Sequence, residues 1–293
     1  MRKIFYSIIV LSTLLISCED PIDVELIDAE PLLVVDAWLN DIDSIQVIKL
    51  TSSQAFFDNT FAEGIEDADI KLTRDDGEVF DFVHTSDGTY QHNFGTDNKI
   101  GEVGSSFTLT INLNDQEYTG TTVLNRTAPI DSIRQEFREN EIFGEDGIYC
   151  ELISRDPQGL GDTYWIKTFK NGLYLNRPSE INLAYDAGFD SGGEVDGFIF
   201  ITPIRELINE LDDDLTPLPW LTGEEIRVEV HSLTEDNFFY METVRDQLIN
   251  SQNGIFAEPL ANTRGNLTHV NGSDTVLGTF NVASVSQIVY TIQ

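Results

Sequence analysis

The stretch Ala68-Asp69-Ile70-Lys71-Leu72-Thr73-Arg74-Asp75-Asp76-Gly77-Glu78-Val79-Phe80-Asp81-Phe82-Val83 decides the fold class. Ala68, Ile70 and Leu72 alternate with Asp69, Lys71 and Thr73, and a period of two puts one set on a buried face and the other in water. Asp76-Gly77 then breaks the run, because glycine accepts the positive φ of a tight turn, and a second run follows at Val79. The stretch therefore reads as a β-hairpin. Upstream, Leu32 to Leu39 is a near-continuous apolar run, as a buried strand requires, and Ser44 to Thr51 follows it. Downstream, Phe107, Leu109 and Ile111 alternate with Thr108, Thr110 and Asn112, and Asn114-Asp115 turns the chain into Gln116 to Leu124. Short strands punctuated at this spacing predict a β-sandwich.

Glu66 to Leu72, with Asp87-Gly88-Thr89-Tyr90, resembles transthyretin-like Greek-key domains, and an immunoglobulin-like sandwich fits the same pattern. Arg126-Thr127-Ala128-Pro129-Ile130 interrupts the alternation and marks a boundary. The expected organisation is an N-terminal β-sandwich over 32–126 and a C-terminal β-rich domain over 127–293. In the second part, Ile133 to Phe137, Ile148 to Ile153 and Thr163 to Phe169 read as strands, and Asn171-Gly172 as a hairpin turn. Phe198-Ile199-Phe200-Ile201 reads as a buried strand. Ile226, Val228 and Val230 alternate again, and Gly265 to Ile292 returns to β. One substantial helix is expected near 235–250. Thr234 suits its N-cap, Glu235 and Asp236 suit its positive end, and Phe238, Met241, Val244 and Leu248 recur at helical steps. The fold class is thus mainly β: two sandwich domains with one α-helix in the C-terminal half.

The N-terminus gives an address. Arg2 and Lys3 precede an apolar run from Ile4 to Ile16, too short to cross a hydrocarbon core of ~30 Å as a helix. Leu15-Ile16-Ser17-Cys18 resembles the lipobox of bacterial lipoproteins. It implies a signal peptide over 1–17, a Cys18 acylated with palmitate-type chains, and a tether over 18–31. Glu19 and Asp20 resemble the surface-export signal of Bacteroidota lipoproteins. The expected location is the outer membrane, lipid-anchored and facing the exterior.

Charge narrows the partners. With 17 Lys and Arg against 51 Asp and Glu, the formal charge is −34. Such a single-sign field repels phosphate backbones, which need clustered cations, so nucleic-acid binding is excluded. The 41% of hydrophobic residues nevertheless suffices for packed cores, so the chain is not a disordered acidic one. With Cys18 lipidated, Cys150 has no intramolecular partner, and its apolar setting marks a buried structural thiol.

No catalytic signature appears. The four histidines, at 84, 92, 231 and 269, form no metal-ligand spacing. With 51 carboxylates, close acidic pairs arise by composition alone, so an acidic-pair hydrolase is the weakest of the readings. No cofactor is expected. Calcium is the one metal whose oxygen chemistry suits the acidic loops, with Asp186, Asp190, Glu194 and Asp196 as one candidate set and Asp212, Asp213 and Asp214 as another. Tyr164, Trp165, Tyr174 and Trp220 are candidates for an aromatic binding platform.

Several pieces in order resemble one family. They are Cys18-Glu19-Asp20-Pro21, Leu33-Val34-Val35 with Trp38-Leu39, Asp156-Pro157 ahead of Tyr164-Trp165, and the helix containing Tyr240. Asn262-Thr263-Arg264-Gly265-Asn266 and Leu277-Gly278-Thr279-Phe280 complete the set. Together they are similar to the Bacteroidota surface lipoproteins called domain of unknown function 4249, often encoded beside TonB-dependent transporters. The resemblance implies a non-enzymatic accessory subunit that helps such a barrel capture or gate a ligand for nutrient uptake. A structural or adhesion module of the cell surface is the alternative.

Overall fold

Alternation becomes burial in the deciding hairpin. In the computed structural model, Ile70, Leu72, Phe80 and Phe82 are buried, and Ile70 pairs with Phe82 and Leu72 with Phe80. The structure describes residues 30–55, 58, 60–95, 100–139, 144–250, 261–272 and 275–293. The lipobox calls, Cys18, Glu19 and Asp20, lie outside the described residues.

The first seven strands run in chain order as β1 (Leu33–Asn40), β2 (Ile45–Ser52), β3 (Asp69–Arg74), β4 (Val79–Ser86), β5 (Thr89–Asn93), β6 (Ser106–Leu113) and β7 (Gln116–Val123). Next come β8 (Ile130–Arg138), β9 (Gly147–Ser154), β10 (Thr163–Lys170), β11 (Leu173–Tyr174) and β12 (Asn182–Tyr185). A short helix α1 (Thr202–Glu206) and β13 (Glu225–Leu233) lead to the long helix α2 (Glu235–Asn250). The chain ends with β14 (Leu267–His269), β15 (Leu277–Ala283) and β16 (Val285–Thr291). Strand makes up 49% and helix 10%, so the mainly β class holds, and the long helix spans the residues that capping and periodicity predicted.

The strands are not arranged as two separate stacks of contiguous chain. Nine of them form one sheet in the order β14-β7-β6-β3-β4-β5-β2-β1-β15, which curls into a nearly closed, barrel-like sheet. All its pairs are antiparallel except β1 with β15, which lie parallel. The sheet begun by 32–126 is thus completed by β14 and β15 from the far end of the chain. Its interior is filled by Val35, Leu39, Ile48, Leu50, Tyr90, Phe107 and Phe280, among others. Tyr90 is a core ring whose hydroxyl donates to Ile65 O at 2.9 Å and accepts from Ala68 N at 3.0 Å, fastening the crossing segment.

Two glycines and one asparagine close the seam. Gly278 adopts φ +85°, and a Cβ there would sit 1.9 Å from Val35 O; a Cβ on Gly265 would sit 1.7 Å from Gly278 O. Only glycine allows backbones so close. Asn266 then stands in for a missing strand: its side-chain oxygen accepts from Phe280 N at 2.9 Å and its amide donates to Phe280 O at 2.7 Å.

The second sheet has the order β11-β10-β13-β16, with β12 also paired to β10. The β8–β9 hairpin shares its core, where Cys150, Leu152, Tyr164, Ile166, Phe200, Trp220 and Val228 pack. The opposite face meets α2 through Leu183, Tyr185, Leu233, Phe238 and Met241, with Trp38 and Trp165 against them.

One strand expectation is corrected. Phe198 to Ile201 forms no strand; Ile199 makes a single bridge to Arg155, Phe200 is buried, and Phe198 is 59% exposed. The apolar run is a loop crossing a core edge, where Phe200 and Ile201 pack inward and Phe198 faces solvent.

Candidate functional site

Tyr240 of α2 lines a groove and also packs against a cluster that includes Trp38 and Trp165. The groove, of about 710 Å³, lies between α2 and residues 261–268. Asp236, Phe239, Tyr240, Thr243 and Gln247 come from the helix, and Thr121 is contributed by β7. The far wall is held by Gln247, whose amide donates to Thr263 Oγ1 at 3.1 Å and whose oxygen accepts from Ala261 N at 3.1 Å. Arg264 lines the groove and, among the described residues, makes no ion pair or side-chain hydrogen bond. Phe239 is 45% exposed beside it. The lining therefore combines amides and hydroxyls with the Arg264 guanidinium, the Asp236 carboxylate and the rings of Phe239 and Tyr240.

A second cluster of aromatic and charged side chains lies on β10 and β13, where Trp165 meets Trp38 of β1. Along β10, Tyr164, Ile166 and Thr168 turn into the core, so Trp165, Lys167 and Phe169 face the other way. From β1 come Asp36 and Trp38. The Trp38 and Trp165 rings meet edge to face with centroids 5.2 Å apart. Lys167 Nζ lies 4.0 Å from the centre of the Trp165 ring, a cation–π contact. Register places His231, Glu229 and Arg227 of β13 opposite Trp165, Lys167 and Phe169.

His231 Nε2 hydrogen-bonds Glu229 Oε2 at 2.9 Å, Arg227 ion-pairs with the same Glu229, and Arg227 stacks on Phe169 at 3.5 Å. Lys167 is half-buried. Among the described residues its ammonium has no hydrogen-bond acceptor, and no carboxylate oxygen lies within 4.0 Å. Burial pushes it down to about 8, against the pull of Asp36 and Asp43. Burial, then the charge of Lys167, holds His231 well below the usual imidazole range. Desolvation raises the Asp36 carboxyl, against the charges of Lys167 and Lys49, although the residue is exposed.

The calcium candidates are placed differently. Asp186 is buried and its Oδ1 accepts from Gly161 N at 2.8 Å and Asp162 N at 3.0 Å. Asp190 accepts from Gly192 N, Asp196 accepts from Gly159 N, and Glu194 points to solvent. Asp212 accepts from Asp214 N and Thr216 N, Asp213 reaches Arg177 at 3.5 Å, and Asp214 is exposed. These carboxylates cap turns. Among the described residues no three of His, Cys, Asp or Glu converge on a cation position. Beside the first set, the cation role is filled from within the chain. Arg126 donates to the carbonyls of Pro157, Gln158 and Gly159 and makes two 3.0 Å bonds from Nε to Asp162.

Of the aromatic candidates, Trp165 and Tyr174 are half-buried, against the rings of Trp38 and Phe169. Tyr164 and Trp220 are core residues instead, bonded to Asp156 Oδ1 at 2.7 Å and to Asn209 Oδ1 at 3.0 Å. Cys150 is buried and burial pushes its thiol up to about 12, which leaves it no thiolate character at neutral pH. Lys167, Asp36, Arg264 and Asn237 escaped sequence reasoning. Each follows the local pattern of an ordinary strand, loop or helix residue, and only pairing between distant segments brings them together.

Fold and groove define a β-rich protein in which one long helix borders a solvent-reaching site; among the described residues, no helix is long and apolar enough to cross a membrane. The chain belongs to the family described as Domain of unknown function (DUF4249), whose profile matches residues 19–288. No curated protein matches it. The pieces that suggested the family have distinct places: Trp38 packs edge to face on Trp165, 262–264 line the groove, and Gly265, Asn266 and Gly278 close the seam.

Proposed function

We propose that this protein is a lipid-anchored, surface-exposed outer-membrane lipoprotein of Bacteroidota, acting as a binding accessory subunit of a TonB-dependent transporter. The observation that carries the reading is the groove of about 710 Å³, whose wall presents Arg264, without an ion-pair partner among the described residues, alongside Asp236, amides, hydroxyls and the exposed Phe239. Such a lining holds a polar ligand by hydrogen bonds and ring contact. It offers a binding surface rather than reaction chemistry, so we read the protein as a binder and not an enzyme.

The anchor supplies the rest of the mechanism. Acyl chains on Cys18, worth about 0.8 kcal/mol per buried methylene, keep the protein on the leaflet. Tethering beside a barrel raises the effective concentration of one for the other, so modest contacts are enough to capture or gate a ligand. The acidic surface keeps the folded part off anionic headgroups.

The test is deletion of the gene followed by complementation. Loss of uptake of a barrel-borne nutrient, restored by the wild-type chain and not by Cys18→Ser, is the expected result. Normal uptake with lost surface attachment would replace this reading with the structural or adhesion one.

A further inference from the structure

Helix α2 buries one face and turns another to the groove. Asn237, Phe238 and Met241 are buried, while Asp236, Tyr240, Thr243 and Gln247 follow at steps of four, three and four and share a neighbouring face along the groove. At about 1.5 Å per residue that face runs for roughly 16 Å, which suits an elongated ligand. The volume of about 710 Å³ falls within the ~300–1,000 Å³ of small-ligand sites. Two of the lining amides are engaged in holding the walls: Gln247 binds Ala261 and Thr263, and Asn266 binds Phe280. Others are left for a ligand. Among the described residues, the side chains of Asp236, Asn262 and Arg264 make no hydrogen bond or ion pair, and all three are exposed. They offer a two-oxygen acceptor, an amide that donates and accepts, and a planar fork of donors. Phe239 adds a ring 45% exposed, braced edge to face by Phe238 with centroids 5.5 Å apart.

Flat polar side chains beside an accessible ring match the chemistry of a sugar. Each ring hydroxyl both donates and accepts, neighbouring hydroxyls pair with the two ends of a carboxylate, amide or guanidinium, and the C–H face of the ring lies on an aromatic side chain. Charge narrows the class. Asp236 and Arg264 cancel within the lining, Arg264 opposes a cation, and the surrounding charge of −34 repels an anion. A peptide added as a strand needs a run of backbone, and the bordering β14 supplies only three residues. We propose that the groove beside α2 binds a short, neutral oligosaccharide, with hydroxyls on Asp236, Asn262 and Arg264 and one sugar ring on Phe239. The proposal names a ligand class for the binding role argued above, and it rests on that reading's placing of the ligand in this groove.

The experiment is isothermal titration calorimetry of the full-length chain in a detergent without a sugar headgroup. The probes are maltotriose, cellotriose and mannotriose, with trigalacturonate and tri-alanine as the anionic and peptide comparisons. The expected result is saturable binding of at least one neutral trisaccharide at millimolar concentration or below, with trigalacturonate weaker by about tenfold or more. Phe239→Ala and Arg264→Gln are each expected to lower that affinity by about tenfold or more. Thermal melts confirm that the variants are folded, and Arg264→Gln, on an exposed residue outside the helix, keeps the test open if Phe239→Ala does not fold. No neutral trisaccharide bound at about 10 mM, tighter binding of trigalacturonate or tri-alanine than of every neutral sugar, or wild-type affinity in either folded variant would overturn the proposal. No transporter is needed for the measurement. A lost barrel partnership leaves its result untouched, and a barrel that co-purifies with a protein blind to sugars sinks this proposal alone.

Discussion

Lys167 costs the folded state stability, because burial shields its ammonium from part of its water and, among the described residues, gives back only a ring contact. Its proton leaves near pH 8 in the folded chain and near 10.5 in the unfolded one. Between those values the unfolded chain binds more protons, so this group makes stability rise with pH across that window. Below pH 8 the penalty is fully present. Lys167→Met is therefore expected to stabilise the protein at pH 7 by on the order of 1–3 kcal/mol, with the gain shrinking as pH rises toward 10. Denaturant melts of both chains at several pH values measure it; a destabilised variant at pH 7 would mean the ammonium has a partner. Arg126 acts in the opposite sense. Its guanidinium gathers the 157–159 carbonyls and Asp162, and its side chain is partly exposed, which tempers its worth. Arg126→Ala is expected to cost about 1–2 kcal/mol and to speed proteolysis within residues 156–162.

At the scale of elements, α2 is docked by an amide as well as by apolar residues. Asn237 is buried, donates to Phe280 O at 3.0 Å and Asn281 Oδ1 at 2.9 Å, and accepts from the Thr279 hydroxyl. Asn237→Ala removes those bonds while Asn266 still serves Phe280 O and the Thr279 hydroxyl, and should cost about 1–2 kcal/mol, with faster amide exchange in α2 than in β10. The seam has a backbone counterpart. Gly278→Ala puts a Cβ into Val35 O at a left-handed φ, and is expected to prevent β15 from pairing with β1, read as lost protection of Val34 to Leu39. How much of this was legible follows from what is local. Strand alternation at 68–83 and 107–124, the turns at Asp76-Gly77 and Asn171-Gly172, and the whole of the 235–250 helix were readable, because period and turn chemistry lie within a few residues. Phe198 to Ile201 misled, since a short apolar run has no period to tell strand from loop. The parallel closure of β15 on β1 joins residues more than two hundred positions apart, and nothing local encodes it. The Trp38–Trp165 contact is illegible for the same reason, since the two rings come from strands far apart in the chain. In the acidic loops, carboxylate spacing does not show the backbone N–H groups that Asp186, Asp190, Asp196 and Asp212 accept from.

At the scale of the whole molecule, a β framework carries one long helix whose Tyr240 lines a groove of about 710 Å³. In the proposed reading the groove binds ligand and a lipid tether places that binding beside a transporter. Raised salt is expected to weaken charged contacts of Arg264 in the groove. The central claim is the partnership with a barrel. It is tested most directly by a mild-detergent pull-down of the tagged, lipidated protein from its native outer membrane, followed by mass spectrometry. The account predicts a stoichiometric TonB-dependent barrel in the eluate. A protein that elutes alone, while surface protease still reaches it on intact cells, would contradict the account.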